Sequence, residues 1–489
     1  MKKQIIISVF MTICFSLTLI SADTLVTSCR ILTEPNTRYY MTGDVNTGEE
    51  RGCFDMSEPN QTLDCQGNSI YGGDITLEPS GVTMGYSGSS IKNCRFTNLK
   101  KAIILNTMSN INITNNTFTA LGDYADCITG DVISGIMPTN SISNSEISKN
   151  TFTGITGDAV CGSGSMAMIN LYNATNVRIL SNYIDGYNSA EPNTYYATRG
   201  IKISGTNNLI KDNIITNTYT AAISFIIRLP VYGTFNNNTI INLTQSNSSM
   251  GLEIINQGNN IINSSFSNNN RSIVLWDGAV SDLGGGGYNS FTNILITNSN
   301  IGIYGGQDDG GWGMESSFTN LIIINSTNYD IYDDRNDGGN IYFLNATYNI
   351  SKELVGYSYL YRRWYYSAYV NDTNGNPVSN ASIIGYDVFG GAQFSIFTNP
   401  TGYTNQTSIL DYINSGDDGF GGQTRTYYSN YTIKAIDSVG HQASHSLNIT
   451  QVQNYQDKFQ LSCWSWLNRL FDYPSICGSD IDSVLKEIF

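Results

Sequence analysis

Between Ile91 and Asn345 the sequence repeats one short phrase at intervals of roughly 22 to 34 residues. An aromatic or β-branched residue flanked by Asn is followed by a small residue and then an aliphatic one: Phe96 with Ala102-Ile103, Phe118 with Asp126-Cys127-Ile128, Phe152 with Ala159-Val160. It continues through Ile184 with Gly200-Ile201, Ile215 with Ala222-Ile223, Ile240 with Gly251-Leu252, Phe266 with Ser272-Ile273, Ile296 with Gly302-Ile303 and Ile324 with Asp330-Ile331. A unit this short cannot bury its apolar side alone and must stack on its neighbours. Its apolar positions alternate at period two and helical spacing is nearly absent, which predicts coils of about three short strands, successive coils about 4.8 Å apart. Hairpin turns such as Asn-Gly are nearly absent, and propeller blades need a period nearer 40 residues. The expectation is an all-β chain whose main body is a right-handed parallel β-helix solenoid. Asn116, Asn150, Asn182, Asn213 and Asn238 each precede the repeat's Phe or Ile by two residues. They are expected to form a corner ladder, because Asn tolerates positive φ and its amide can bond neighbouring backbone.

The N-terminus carries Lys2 and Lys3, an apolar run from Ile5 to Ile20 and then Ser21-Ala22, the pattern of a signal peptide cut near Ala22. Sixteen apolar residues are short for a membrane span. Removing the two lysines leaves 23 basic against 40 acidic residues, a net of −17, which disfavours nucleic acid or an anionic membrane as partner. Of nine cysteines, Cys14 falls in the leader. Cys29 and Cys53 bracket a turn-rich segment and are expected to staple the N-terminal cap; Cys463 and Cys477 are expected to close a loop in the tail. Cys65 with Cys94, and Cys127 with Cys161, recur at about one coil's spacing, where either disulfides or buried free thiols fit. The chain belongs outside the cell. About seventeen Asn-x-Ser/Thr sequons, Asn112, Asn173, Asn242, Asn345, Asn371 and Asn430 among them, permit N-glycosylation.

The opening of the solenoid carries a resemblance. Cys29, Pro35-Asn36, Tyr40, Asp44-Val45 and Cys53-Phe54, followed by Leu63-Asp64-Cys65-Gln66-Gly67, resemble the start of exported right-handed β-helix proteins of archaeal and bacterial surfaces. These belong to the pectate-lyase-like superfamily of carbohydrate-binding and sugar-hydrolase repeats. The resemblance covers residues 25 to 345 and implies fold strongly and activity weakly. From Ser367 the pattern changes: Tyr369-Val370-Asn371-Asp372, Gly375, Pro377-Val378, Ala381, Ile383 and Gly402-Tyr403 are similar to carboxypeptidase-regulatory, transthyretin-like or immunoglobulin-like stalk modules, with Tyr431–Ala435 as a late strand. The expected organisation is a signal peptide over 1–22, a cap over 23–62, the β-helix over 63–345 and an aromatic connector over 346–366. An Ig-like or transthyretin-like sandwich over 367–461 and a disulfide-closed tail over 462–489 follow. Trp464, Trp466 and Leu467 in the tail, or an uncleaved leader, are the only segments offering membrane contact.

For chemistry, both histidines, His441 and His445, lie outside the repeat. The Gly-His-Gly element of polygalacturonase-like relatives is therefore missing, which counts against that hydrolase group. A modest constellation remains on adjacent coils: Asp126, Asp131 and Asp158 with Arg199 and Lys202. Paired carboxylates beside cations are what acid–base work on an acidic polysaccharide requires. Arg199-Gly200-Ile201-Lys202 resembles the Arg-Ile-Lys substrate clamp of those relatives, with a glycine interposed. Sugar binding without turnover asks instead for aromatic planes, and Tyr195, Tyr196, Trp276, Tyr304 and Trp312 are the candidates. Asp282, Asp309 and Asp337 each precede a Gly run; stacked, they offer a Ca²⁺ ledge, although a repeated Asp-Gly turn on a solvated edge explains them without any cofactor. No cofactor is required. The expectation is a cell-surface β-helix in a structural or adhesive role, contacting polysaccharide or surface glycans; the alternative is a polysaccharide lyase, epimerase or hydrolase using Asp126, Asp158 and Arg199.

Overall fold

A computed structural model describes residues 23–48, 52–72, 80–119, 134–139, 141–155, 166–186, 198–225, 237–255, 258–276, 288–306, 315–334, 339–417, 423–450 and 454–462. The leader and the Cys463 and Cys477 positions lie outside these. The chain divides into two compact units, Met1–Asn256 with Ser264–Ile273, and Gln257–Asn263 with Val274–Phe489.

The first unit is a parallel β-helix. In one wall, here sheet A, Phe96, Phe118, Phe152, Ile184, Ile215, Gln245 and Phe266 stand opposite one another on successive coils. Ring centroids lie 5.0 Å apart for Phe96–Phe118 and 4.3 Å for Phe118–Phe152. In the other wall, sheet B, Val82, Ile103, Ile136, Ile169, Ile201, Ile223 and Leu252 form a second buried column. The small residue of the phrase is dictated by the contact between these columns. A Cβ on Gly200 would sit 2.8 Å from the Ile215 side chain, and one on Gly135 would sit 2.7 Å from the Phe152 ring. The repeat is therefore one packed pair across a thin core, restated on each coil.

Some pairings differ from expectation. The strand place expected for Asp126-Cys127-Ile128 is held by Ser134-Gly135-Ile136, and that for Ala159-Val160 by Ala167-Met168-Ile169. Long segments precede both strands, so a later pair enters the sheet, Gly135-Ile136 on one coil and Met168-Ile169 on the next, where Met takes the place of the small residue. Ile240 stands opposite Ile210 instead of Ile215, because Gln245 takes the Phe/Ile place. The Gln245 amide is satisfied there by Asn269 and Ser248. In the second unit Ile323, not Ile324, faces inward opposite Ile296.

The corner ladder forms over four of its five members. Asn116, Asn150 and Asn182 each donate from Nδ2 to the Oδ1 of the next coil's asparagine at 3.0 Å, ending on Asn213. The same oxygens accept backbone N–H groups, so no buried amide in this column goes unpaired. Asn238 joins Asn208 in a separate ladder. Positive φ falls one residue earlier, on Asn115, Lys149, Ser181 and Asp212. The corner thus divides backbone reversal and side-chain bonding between adjacent residues. Cys29–Cys53 and Cys65–Cys94 are both disulfides, the second settling an alternative the sequence left open.

The second unit contains further coils, with Phe291, Phe318 and Phe343 stacked. Residues 346–366 include the strand Glu353–Val355, parallel to Tyr329–Asp333, and the start of the 14-residue strand Tyr359–Asp372. That long strand pairs along its first half with Asn340–Thr347 and with Thr407–Asp417, and along its second half with Tyr455–Leu461. A small antiparallel sheet of Ala392–Phe397, Ser382–Tyr386, Tyr431–Ile436 and Gln442–Leu447 packs with it over Trp364, Tyr366, Val370, Ile383, Ile433 and Phe459. The aromatic run is thereby split by strand alternation: Trp364 and Tyr366 are buried and Tyr359 is exposed.

A charged plug ends the coils. Glu353 sits opposite the inward Ile331 and accepts from Tyr348 at 2.6 Å, Asn414 at 2.7 Å, Arg425 Nε at 2.9 Å, and Tyr412. Beside it Arg362, 1 % exposed, lies 3.6 Å from Asp411 and over the rings of Trp364, Tyr348 and Tyr412. Burial pushes Asp411 up to about 6 and raises Tyr348 and Tyr412 above the ordinary tyrosine range.

Candidate functional site

In sheet B the residue after each inward aliphatic points away from the core. On four successive coils of the first unit this outward position holds Asn170, Lys202, Ser224 and Glu253, in register. The neighbouring outward column holds Ser134, Ala167, Arg199, Ala221 and Met250. Alternation places the residue after each inward aliphatic outward, and like positions stack about 4.8 Å apart; two consecutive core-facing residues, Gly200 and Ile201, break the alternation, so Arg199 lies outward as well.

An outward sheet face ordinarily meets water, yet these polar groups are buried. Asn170 and Ser224 have no exposure, Glu253 has 6 % and Lys202 has 8 %. The small Ala221 beside Arg199 leaves the guanidinium room to reach along the solenoid, and its Nη2 lies 3.6 Å from Glu253 Oε2. Ser224 donates its hydroxyl to the same carboxylate oxygen. Lys202 Nζ stands 5.6 Å from the centre of the Tyr172 ring, and Asn170 Nδ2 donates to the Tyr172 hydroxyl at 3.3 Å. Two buried atoms of the cluster have no partner: the Asn170 Oδ1 acceptor and the Arg199 Nε donor. Buried orphans of this kind are rare in folded proteins and cost about 1–3 kcal/mol each. Among the described residues the face brings together two cations, Arg199 and Lys202, and one carboxylate, Glu253.

Of the residues singled out from sequence, Arg199 and Lys202 meet on this face. Trp276 and Tyr304 meet in the second unit, ring centroids 5.8 Å apart and edge-on. Tyr304 is 9 % exposed, and both rings pack over Gly306, where an added Cβ would lie 2.5 Å from Trp276 and 2.6 Å from Tyr304. Asp126, Asp131, Asp158, Tyr195, Tyr196, Trp312, Asp282, Asp309 and Asp337 lie outside the described residues. No cluster of three or more metal-ligating side chains occurs among the described residues. Glu253, Ser224, Asn170 and Tyr172 were missed. The signal for the first three was present: each directly follows the inward aliphatic of its coil, in Leu252-Glu253, Ile223-Ser224 and Ile169-Asn170, the same offset as Ile201-Lys202.

No protein-family model matches the sequence, and no curated protein matches it. Among solved structures, the chain is similar to the catalytic domain of a GH87 α-1,3-glucanase in complex with nigerose, with a TM-score of 0.41 and 13 % identity over 64 % of this chain and 60 % of that one. It is also similar to the tailspike protein of E. coli bacteriophage HK620 in complex with a pentasaccharide, with a TM-score of 0.45 and 11 % identity over 80 % and 86 % of the two chains. The chain thus spans less than two thirds of the glucanase domain's length.

Proposed function

We propose that this chain is an exported β-helix protein that contacts glycans through the outward face of sheet B, in a structural or adhesive role. The observation that carries this reading is the pair of buried, unpartnered atoms, Asn170 Oδ1 and Arg199 Nε, on a face that also presents Lys202, Ser224 and Glu253. A polyhydroxylated ligand supplies donors and acceptors together, and the Arg199 guanidinium suits one bearing carboxylates, such as a uronic acid polymer. Two disulfides agree with an oxidising compartment outside the cell. The antiparallel module over 367–461 serves as a stalk of the Ig-like or transthyretin-like kind, and the solenoid is assigned to the pectate-lyase-like superfamily.

The second reading is an enzyme acting on acidic polysaccharide. It is favoured by the juxtaposition of one buried carboxylate, Glu253, with Arg199 and with Lys202 beside Tyr172, the kinds of group that proton transfer at a uronate needs. One experiment separates the two. The mature chain is titrated with alginate, pectate and hyaluronan, and the mixtures are assayed for depolymerisation and unsaturated products. Adhesion predicts saturable binding without products, weakened about tenfold in Arg199→Ala, the loss of one charge-assisted contact. Product formation abolished in Glu253→Gln establishes the enzyme, and no binding to any acidic polymer rejects both.

A further inference from the structure

On sheet A of the second unit, a different outward column stands out. Asn289, Ser316, Ile341 and Leu360 are buried and stand opposite one another on successive strands. The residues just before them, Tyr288, Glu315, Asn340 and Tyr359, therefore form an outward column of aromatic, acid, amide and aromatic. Its ends lie three coil spacings apart, about 14 Å. Tyr288 is 51 % and Tyr359 47 % exposed. The middle is polar and ordered, with Asn340 Nδ2 donating to Glu315 Oε1 at 2.9 Å.

Tyr288 is open without being loose. The nearby Glu315 carboxylate raises its hydroxyl above the ordinary tyrosine range, and its ring packs edge-on against Tyr342, 6.1 Å between centroids. Tyr342 is in turn stacked on Tyr361 at 5.0 Å. The floor between the first two coils is small and hydroxylated, with Ser290 opposite Ser317. Burial and the Glu315 carboxylate both raise Tyr342 above its ordinary range, which agrees with an acid held close to the rings. A tyrosine kept half in water by neighbours that fix its orientation is an unfilled contact surface, since the same ring turned inward would gain burial.

We propose that the Tyr288–Glu315–Asn340–Tyr359 column is a binding site for a neutral oligosaccharide. The apolar faces of two sugar rings cover Tyr288 and Tyr359, and the hydroxyls between them meet Glu315 and Asn340. The pattern suits a sugar because a pyranose is apolar on its ring face and polar at its rim, as this column is along its length. A neutral ligand is indicated because the one charged member is an acid, in contrast to the sheet B face, where Arg199 and Lys202 meet. The site stands independently of the glycan reading of that face.

The test is affinity electrophoresis of the full chain through native gels containing laminarin, pullulan or hydroxyethylcellulose. At least one polymer is expected to retard the protein. Tyr288→Ala with Tyr359→Ala should weaken retardation at least about fivefold, the scale of one to two aromatic contacts. Tyr359→Phe should keep most of it, and Lys202→Ala should not alter it. Both tyrosines are half exposed, so the variants should keep the wild-type circular dichroism. No retardation by any polymer overturns the proposal, as does retardation indifferent to the tyrosines. A concentration-dependent dimer lost in the double variant would assign the column to self-association and overturn it equally. Loss of acidic-polymer binding in Lys202→Ala with neutral binding intact, or the reverse, shows which of the two sites has failed.

Discussion

Glu253 and Glu353 are both buried glutamates on sheet B strands, and their surroundings differ in kind. Glu353 points into the last coil and is enclosed by donors: two tyrosine hydroxyls, an amide and a guanidinium, supplied by Tyr348, Tyr412, Asn414 and Arg425. Glu253 points out of the core and shares its face with a hydroxyl, an arginine at 3.6 Å and two polar atoms that have no partner. Enclosure by donors is how a fold tolerates a charge it needs for shape. Incomplete pairing on an outward face costs stability, and such a cost persists in a fold when a ligand offsets it. The contrast is between a carboxylate ringed by donors and one with fewer partners on an outward face; orphaned atoms alone do not separate them, since Arg362 Nε and Nη2 and Asp411 Oδ1 beside the plug are unpartnered too.

The largest expected effect tests the plug. Glu353→Ala strands Arg425 beside two buried tyrosine hydroxyls, and loss of one member of a buried pair costs about 3–5 kcal/mol. Urea unfolding of the mature chain, followed by the near-ultraviolet signal of its tyrosines, should show a large drop in midpoint. Glu253→Ala on the outward face, where the carboxylate has fewer partners, should lower it less. Equal losses would break the comparison, because they would make both carboxylates structural.

A smaller effect lies in the pH dependence of the plug. Asp411 rises from 3.8 to about 6 on burial, despite Arg362 at 3.6 Å. The folded state therefore holds the Asp411 proton over a range where the unfolded state has lost it. Between pH 4 and pH 6 this group makes stability fall as pH rises, opposite to a salt-bridged aspartate. Going from pH 7 to pH 5 should favour the folded wild type over Asp411→Asn by about 1.4 kcal/mol, one pH interval below the raised value. Unfolding midpoints of the two proteins that move in parallel across this range would show that Asp411 stays charged and that the plug is a conventional ion pair.

How far these features could be read in advance follows from how they are encoded. The Phe96, Phe118 and Phe152 stack is legible because stacking on every coil forces the same residue type to recur, and the small–aliphatic pair recurs because it packs against that stack. The reading slips at Gln245, where a polar side chain satisfied by Asn269 and Ser248 occupies an apolar place. It slips again before Gly135-Ile136 and Met168-Ile169, where long segments break the spacing and drew the alignment to Asp126 and Asp158. Of the six side chains gathered on the sheet B face, two, Arg199 and Lys202, stand out in the sequence. The rest follows from the offset one residue past each aliphatic, which a search for charged pairs passes over. The plug was out of reach: Glu353 meets Tyr412, Asn414 and Arg425 from 59, 61 and 72 residues away, and no local pattern encodes contacts that the return of a second domain creates.

The smallest effect sharpens the comparison most, because the two accounts of the sheet B face predict opposite signs. Asn170 has no exposure, and its Oδ1 has no partner, while its Nδ2 makes one bond of 3.3 Å to Tyr172. If the amide is part of the fold's own support, Asn170→Leu removes a hydrogen bond and lowers stability. If it is kept for a ligand, the substitution removes a buried orphan at nearly constant volume and stabilises the ligand-free chain by about 1 kcal/mol. The second outcome is expected, and the gain in unfolding midpoint should come with weaker binding to acidic polymer. The two measurements bear on different links: stability reports whether the oxygen is unpaired in the free protein, and binding reports whether a ligand pairs it. A gain in stability with binding unchanged would leave the face strained but unused, and would move glycan contact to the tyrosine column of the second unit.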